Sequence, residues 1–276
     1  MSARRCLLFV PGSRPERFVK AAASGADMVC IDLEDAVALT DKDSARRAAL
    51  SFLASAERNP SCEWVLRCNA LATAEGWRDV LALLDAAALP DLLMLPKVSD
   101  ATELRLLSEV LGARCPPLIA LIEGPRGIAM ARDIARAPRV SMLMLGGADY
   151  CVELGAEMGA ESLLWPRSAM AAAAAEAGIP CMDVPFLDVQ DPAGLDAETR
   201  RVVALGFAAK AAIHPSQVEV IQRALNPTPE RVVWARRVVE AFQASPHAAI
   251  QVDGKLVDRP IVVAAERVLR RAGLVV

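Results

Sequence analysis

Short apolar runs alternate along the chain with longer segments in which apolar residues recur at helical spacing. The short runs are almost continuously apolar, which is typical of parallel strands buried on both faces. We predict eight strands, at Cys6–Val10, Met28–Leu33, Glu63–Cys68, Leu92–Leu95, Leu118–Ile122, Ser141–Leu145, Pro180–Val184 and Lys210–Ile213. The amphipathic segments between them predict helices, including those at Asp43–Arg58, Glu75–Ala88, Ala101–Leu111, Arg126–Arg136, Pro166–Ala177 and Ala197–Gly206.

Strict alternation of strands and helices fits either a closed barrel or an open doubly wound sheet. A dinucleotide-binding sheet carries a G-x-G-x-x-G turn after its first strand, whereas residues 10–17, VPGSRPER, contain a single glycine. Eight strand–helix units also match the number that closes a barrel. We therefore predict an α/β protein with a (β/α)8 TIM barrel over residues 1–225.

The pattern changes in the C-terminal segment, residues 226–276. The sequence NPTP at 226–229 ends the barrel pattern, and the pair Asp253-Gly254 suits a tight type I′ hairpin turn. A segment of this size cannot form a core alone, so we expect it to pack on its own barrel or on a neighbouring subunit. The predicted elements are a helix, two hairpin strands and a last helix, at Glu230–Phe242, Ile250–Val252, Lys255–Val257 and 259–271.

Composition narrows the class of protein. The chain has 276 residues, 54% of them hydrophobic and only one a tyrosine, so a barrel core would be built from Ala, Leu, Val and Ile. A net charge of −3 with scattered basic residues argues against a nucleic-acid partner, and no apolar stretch is long enough to span a membrane. The seven cysteines form no C-x-x-C pair, which indicates buried thiols in a reducing cytoplasm and no zinc site.

Polar side chains follow the predicted strands at the end where a barrel carries its active site. Asp32, Glu34 and Asp35 crowd three carboxylates after the second strand, so a positive group should lie nearby. Arg67 follows the third strand, and its planar fork either pairs with these acids, grips a substrate carboxylate, or does both. Lys97 follows the fourth strand and is either a Schiff-base nucleophile or a partner of the same acids.

Two further acids follow adjacent strands. Glu123 comes directly after the fifth strand, and Asp149 comes a few residues after the sixth. Two carboxylates together with water and substrate oxygens would suit Mg²⁺. The alternative is that each acid caps the following helix or pairs with an arginine.

The remaining candidates carry weaker signals. His214 follows the eighth strand, but no Ser or Cys nucleophile motif lies beside it, so it is either a structural residue or a base. Arg14, Arg17 and Lys20 form a basic patch after the first strand. The patch either binds a nucleotide phosphate or is a solvated helix face.

Eight motifs occur in an order that is far more specific than any one of them. With LFVPGSRPE, IDLEDAV, LRCNA, LPKV, LIEGPRGI, LMLGGADY, GFAAKAAIHPSQ and DGKLVDRP, the chain resembles the citrate lyase beta subunit-like (CitE-like) group of the HpcH/HpaI aldolase family over nearly its whole length. The resemblance implies a barrel of the phosphoenolpyruvate/pyruvate superfamily that assembles into a homo-oligomer, a trimer or hexamer. It also implies Mg²⁺ at Glu123 and Asp149.

The resemblance further implies how substrates bind. Arg67 would hold the carboxylate of a 2-oxo acid, and Arg14 and Lys20 would contact the phosphates of an acyl-CoA thioester. Asp258, in the motif DGKLVD, would reach the site of a neighbouring subunit and act as a catalytic acid or base.

The implied activity is Mg²⁺-dependent cleavage of a carbon–carbon bond in a 3-hydroxyacyl-CoA. Citramalyl-, malyl- or citryl-CoA would yield a 2-oxo acid and an acyl-CoA through a thioester enolate, with Asp258 exchanging the proton. Three alternatives remain. The same barrel could be a thioesterase, a malate synthase-like condensing enzyme, or a noncatalytic thioester-binding subunit of a larger complex.

Overall fold

A computed structural model describes residues 4–55, 57–58, 60–245 and 249–274. The chain divides into two compact units, Met1–Gln222 and Arg223–Val276. The boundary predicted after residue 225 falls at the end of the helix Ser216–Leu225, close to this division. Within the described residues, no helix combines the length and the hydropathy that a membrane crossing requires.

In the first unit, eight parallel strands close into a barrel. Each strand pairs with the next, and the eighth pairs with the first through Cys6 and Lys210, so the barrel prediction is confirmed. Both ends of every predicted strand lie within one residue of the observed ends. The strands are β1 Cys6–Pro11, β2 Met28–Asp32, β3 Glu63–Arg67, β4 Leu92–Leu95, β5 Leu118–Ile122, β6 Val140–Leu145, β7 Cys181–Asp183 and β8 Ala209–Ala212.

Helices connect the strands. The segment predicted as one helix at Arg126–Arg136 is two, because Met130 leaves helical geometry with φ −96° and ψ 7°. The helix predicted from Ala197 begins earlier, since the Asp191 side chain accepts the N–H of Gly194 at 2.8 Å and caps it. The helices are α1 Phe18–Ala22, α2 Lys42–Leu53, α3 Ala74–Asp85, α4 Ala101–Leu111, α5 Pro125–Ala129, α6 Ala131–Ala135, α7 Gly147–Leu154, α8 Leu164–Ala177, α9 Pro192–Leu205 and α10 Ser216–Leu225.

The interior of the barrel is a packed core. Alternate residues of each strand point inward, as the period of two along a β-strand requires. All seven cysteines are free and buried, as predicted. The inward-facing cluster comprises Leu7, Met28, Cys30, Val65, Leu92, Met94, Ile119, Leu121, Met142, Met144, Met182, Ala209 and Ala211.

The second unit contains a helix, a hairpin and a last helix, at α11 Pro229–Gln243, β9 Ala249–Val252, β10 Lys255–Asp258 and α12 Arg259–Arg271. Asp253 and Gly254 both have positive φ, as the predicted type I′ turn requires. The expectation that this segment lacks a core of its own is wrong. The apolar positions of α12 recur on one face and form a hydrophobic cluster with α11 and β10, whose buried members include Val238, Val257, Val262 and Leu269.

Candidate active site

A layer of polar residues lies directly above the barrel core, at the carboxyl ends of the strands. Asp32, Arg67 and Glu123 each stand two residues beyond an inward-facing core residue of the same chain segment. Because successive side chains of a strand alternate between two faces, these three side chains also point into the barrel. They line a cavity of about 390 Å³ whose other walls include Phe9, Leu121, Met144, Asp149, Leu187 and Ile213.

Arg67 and Asp32 form a two-pronged ion pair. Arg67 Nε lies 2.7 Å from Asp32 Oδ1, and Nη2 lies 2.6 Å from Oδ2. Both side chains are buried, and the guanidinium also stands 5.1 Å from the ring centroid of Phe9. Burial alone would lower the pKa of Arg67, but the hydrogen bonds and charge of Asp32 outweigh it and raise the pKa. Arg67 therefore stays cationic in a fixed orientation.

The acidic loop, residues 32–35, provides further charge. Arg67 Nη1 lies 2.9 Å from Glu34 Oε2 and 3.8 Å from Asp35. The closer contact has the distance of an ion pair without hydrogen-bond geometry, so buried Glu34 Oε2 has no hydrogen-bond partner. Burial raises the pKa of Glu34 even though the charge of Arg67 opposes this.

A second group of residues fixes the acidic loop from outside the cavity, and sequence reasoning missed it. Lys42 Nζ donates to the carbonyls of Leu33 and Glu34 at 2.7 and 2.6 Å, and to Asn69 Oδ1 at 2.7 Å. Asn69 in turn donates both its backbone N–H and its side-chain amide to buried Asp79 at 2.7 Å. The loop is thus tied to the segment that follows Arg67.

Glu123 is a buried carboxylate packed against a glycine. Its Oε2 accepts the backbone N–H of Lys97 at 2.9 Å, and a Cβ at position 146 would lie 2.5 Å from its Oε1. Burial, together with the negative charge of Glu34, raises the pKa of Glu123 to about 8, and Asp149 adds to the rise. The surroundings of Glu123 therefore favour either a proton or a cation on its carboxylate.

Lys97 lies in a groove that adjoins the cavity and that Glu123 and Asp149 also line. Its Nζ lies 3.0 Å from Glu34, 3.6 Å from Asp35 and 3.2 Å from Asp149. Burial alone would lower the pKa of Lys97, but Glu34 and the other acids outweigh it and raise the pKa. A Schiff-base nucleophile must be a neutral amine, so this geometry favours the ion-pair interpretation.

Asp149 lies in the first turn of α7, a few residues after the end of β6, as the sequence spacing indicated. Its carboxylate is 44% exposed and lines the same cavity as Glu123. Among the described residues, no three His, Cys, Asp or Glu side chains are placed to hold a metal by themselves. Two carboxylates that leave the other positions to water and substrate oxygens suit Mg²⁺, which keeps several waters. The charge around Glu123 fits the same ion.

The other predicted site residues lie elsewhere. Arg14 and Lys20 are exposed and do not line the cavity that Arg67 enters. His214 lines a separate cavity of about 440 Å³, with its Nδ1 2.8 Å from Ser216 Oγ. Asp258 ends β10 in the second unit and precedes α12. The roles predicted for Arg14, Lys20 and Asp258 stay predictions.

Comparisons with known proteins agree with the resemblance. The family model described as "HpcH/HpaI aldolase/citrate lyase" matches residues 5–215. A citrate lyase subunit beta-like protein of Mycobacterium tuberculosis is 38% identical over 96% of this chain and 94% of its own. An L-malyl-CoA/beta-methylmalyl-CoA lyase of Cereibacter sphaeroides is 33% identical over 98% of this chain and 95% of its own.

Among solved structures, the protein CitE of M. tuberculosis in complex with magnesium, acetoacetate and coenzyme A superimposes with a TM-score of 0.86. The two sequences are 37% identical, and the match covers 99% of each chain. Sequence motifs, family model and fold therefore indicate the same family. The chain belongs to the HpcH/HpaI aldolase/citrate lyase family.

Proposed function

We propose that the protein is a Mg²⁺-dependent lyase that cleaves a 3-hydroxyacyl-CoA into a 2-oxo acid and an acyl-CoA. The observation that carries the proposal is the convergence of Arg67, Glu123 and Asp149 on one cavity at the carboxyl end of the barrel. The relatives support the reaction class, because one is named as a malyl-CoA lyase and another was crystallised with magnesium and coenzyme A. Citramalyl-, malyl- and citryl-CoA are the candidate substrates.

Glu123 and Asp149 would hold the Mg²⁺ ion. When bound, the ion supplies a Lewis acid next to the substrate oxygen that becomes the carbonyl of the 2-oxo acid. Glu123 is the better-fixed ligand, since it is buried and accepts the backbone N–H of Lys97. Asp149 is more exposed and can adjust to the ion and the substrate.

Arg67 would bind the carboxylate of the substrate. A guanidinium has five N–H donors, and Asp32 accepts two of those on Arg67. The ion pair with Asp32 fixes the plane of the guanidinium, so the remaining donors meet a carboxylate without loss of side-chain freedom. The substrate hydroxyl carbon would thereby lie in the cavity that Glu123 and Asp149 also line.

The apolar wall of the cavity would favour cleavage over hydrolysis. Phe9, Leu121, Met144, Leu187 and Ile213 face the same space as the charged groups. The hydroxyl proton would pass to solvent as the carbon–carbon bond breaks, and the electron pair of that bond would stay on the carbon next to the thioester, as an enolate. A substrate bound against this wall would exclude water from it and so keep the thioester intact while that carbon takes up a proton.

Asp258 of a neighbouring copy would deliver that proton, and Arg14 and Lys20 would contact the phosphates of coenzyme A. We propose a homo-oligomer in which the C-terminal segment of one copy completes the site of another. Chains with Asp258→Ala and chains with Arg67→Ala should each be inactive, yet regain partial activity when mixed into hybrid oligomers. Failure to recover activity despite proven subunit exchange would assign Asp258 to its own barrel or to no site.

The reaction is tested with purified protein, MgCl₂ and the three candidate thioesters. We expect equal amounts of 2-oxo acid and acyl-CoA, measured as the phenylhydrazone and by mass spectrometry, and loss of both in Glu123→Gln and Asp149→Asn. Glu109→Gln, an exposed acid on α4, is the matched control and should retain full activity. Free coenzyme A without 2-oxo acid would identify a thioesterase instead. Full activity of both site variants would refute the proposal.

A further inference from the structure

Lys97 has polar contacts with both proposed metal ligands. Its backbone N–H donates to Glu123 Oε2 at 2.9 Å, and its Nζ lies 3.2 Å from Asp149 Oδ2. The two contacts come from opposite ends of the same residue. Lys97 therefore connects Glu123 and Asp149.

This arrangement requires an unusual backbone. Lys97 has φ 54°, in the left-handed region that non-glycine residues rarely adopt. Residues in such conformations persist where the surrounding contacts hold them, and they are concentrated at functional sites. Here the held conformation turns the backbone N–H towards Glu123 while the side chain extends to Glu34 and Asp149.

The ammonium of Lys97 also has more acids than it can neutralise. Glu34, Asp35 and Asp149 all lie within 4.0 Å of it, at 3.0, 3.6 and 3.2 Å. Glu34 is buried, whereas Asp35 and Asp149 are 56% and 44% exposed and can exchange partners more easily. Of these two exposed partners only Asp149 is a proposed metal ligand, so Asp149 is the one for which an arriving divalent cation would compete with Lys97.

We propose that Lys97 is a built-in counter-ion of the metal-free site, whose ammonium competes with a divalent cation for Asp149 and retains Glu34 and Asp35 once that cation binds. The inference rests on the proposed function, in that it takes Glu123 and Asp149 as the metal ligands. Lys97 prevents repulsion among the acids before the metal binds. It also weakens metal binding, because the ion must first displace the ammonium from Asp149.

The competition between the Lys97 ammonium and Mg²⁺ for Asp149 should be measurable as a change in Mg²⁺ affinity. Removing the ammonium should tighten Mg²⁺ binding about fivefold, the change that corresponds to about 1 kcal/mol for a partly exposed ion pair. The same change should destabilise the metal-free protein, since three acids lose their shared cation. The gain in Tm on adding MgCl₂ should therefore be larger in the variant than in the wild type.

The test is titration of the metal-free full chain with MgCl₂ by calorimetry, without substrate. Lys97→Met removes the charge at similar length, and Lys97→Gln is the second variant should the first not fold. Arg126→Gln is the matched control, because Arg126 borders the same groove, is 72% exposed and pairs with Asp100 rather than with either ligand. Loss of Mg²⁺ binding in Asp149→Asn would show that the ion measured in the titration binds at the assigned site.

We expect about fivefold tighter binding in Lys97→Met and less than about twofold change in Arg126→Gln. Unchanged or weaker binding in Lys97→Met, with binding lost in Asp149→Asn, would overturn the role of Lys97 and leave the metal site intact. An equal increase in Mg²⁺ affinity in Lys97→Met and Arg126→Gln would show that any lost positive charge nearby has the same effect. That result would also overturn the specific role of Lys97. Wild-type binding that survives Asp149→Asn would refute the ligand assignment and the inference together.

Discussion

Replacing Gly146 with alanine should disable metal binding by displacing Glu123 without altering any charged group. Gly146 stands two residues beyond the inward-facing Met144, so a side chain there would enter the layer that contains Glu123. An added Cβ would overlap Glu123 Cγ and lie 2.5 Å from its Oε1. Glu123 would have to rotate away, because a contact this close cannot be relieved by a few tenths of an ångström.

The cost follows from what Glu123 would lose. Its hydrogen bond from the Lys97 N–H, at 2.9 Å, would break, and the buried carboxylate would enter a tightly packed region. Overpacking and a lost hydrogen bond together cost about 2–3 kcal/mol of unfolding free energy. For a chain of this size the corresponding fall in Tm is ~5–10 °C. Displacement of one ligand should weaken Mg²⁺ binding about ten- to hundredfold.

Calorimetric titration with MgCl₂ and thermal unfolding measure the two effects. Gly159→Ala is the matched control, since a Cβ at Gly159 would meet no atom nearer than 4.0 Å, and it should change neither quantity. In a Glu123→Ala background, Gly146→Ala should cost much less stability than in the wild type, because the clashing side chain is absent. Wild-type Mg²⁺ affinity and Tm in Gly146→Ala would show that Glu123 does not occupy this position.

Two other variants test the ion pairs of the barrel. Lys210→Met should lower the unfolding free energy by about 3–5 kcal/mol in chemical denaturation, because it removes one of the buried partners of Asp183, 2.6 Å away, and it should leave Mg²⁺ affinity unchanged. Arg67→Lys keeps the charge but loses the two-pronged contact with Asp32, so kcat/KM should fall at least about tenfold; unaltered kinetics would contradict the carboxylate-binding role.

The strands could be predicted closely because burial on both faces leaves a continuous apolar run in the sequence. The site residues Arg67 and Glu123 were predicted for a related reason, since each interrupts that apolar pattern where a strand ends. The alternation of side chains between the two faces of a β-strand also predicts the orientation of these two residues. Counting in steps of two from Val65 and Leu121 places both residues on the inner face.

Other features of the structure depend on distances between residues far apart in the chain, which the spacing of residues in the sequence does not predict. The role of Gly146 was not predicted, because only the position of Glu123 shows why a side chain cannot fit there. Lys210 is the one residue of β8 that is not an alanine. Its side chain faces outward and pairs with Asp183 and Glu198 at 2.6 and 2.7 Å. A lone lysine in a buried strand was the available signal of that ion pair.

The loops after β7 and β8 give the cavity an apolar side. They contribute Val184, Leu187 and Ile213, whereas Asp32 and Arg67 end β2 and β3, and Glu123 and Asp149 follow β5 and β6. The charged groups proposed for the reaction and this part of the apolar wall are thus encoded in separate stretches of the gene. Laboratory evolution towards a different acyl chain can confine its mutations to the loops after β7 and β8, and so preserve the reaction while it alters the molecule on which the reaction is performed.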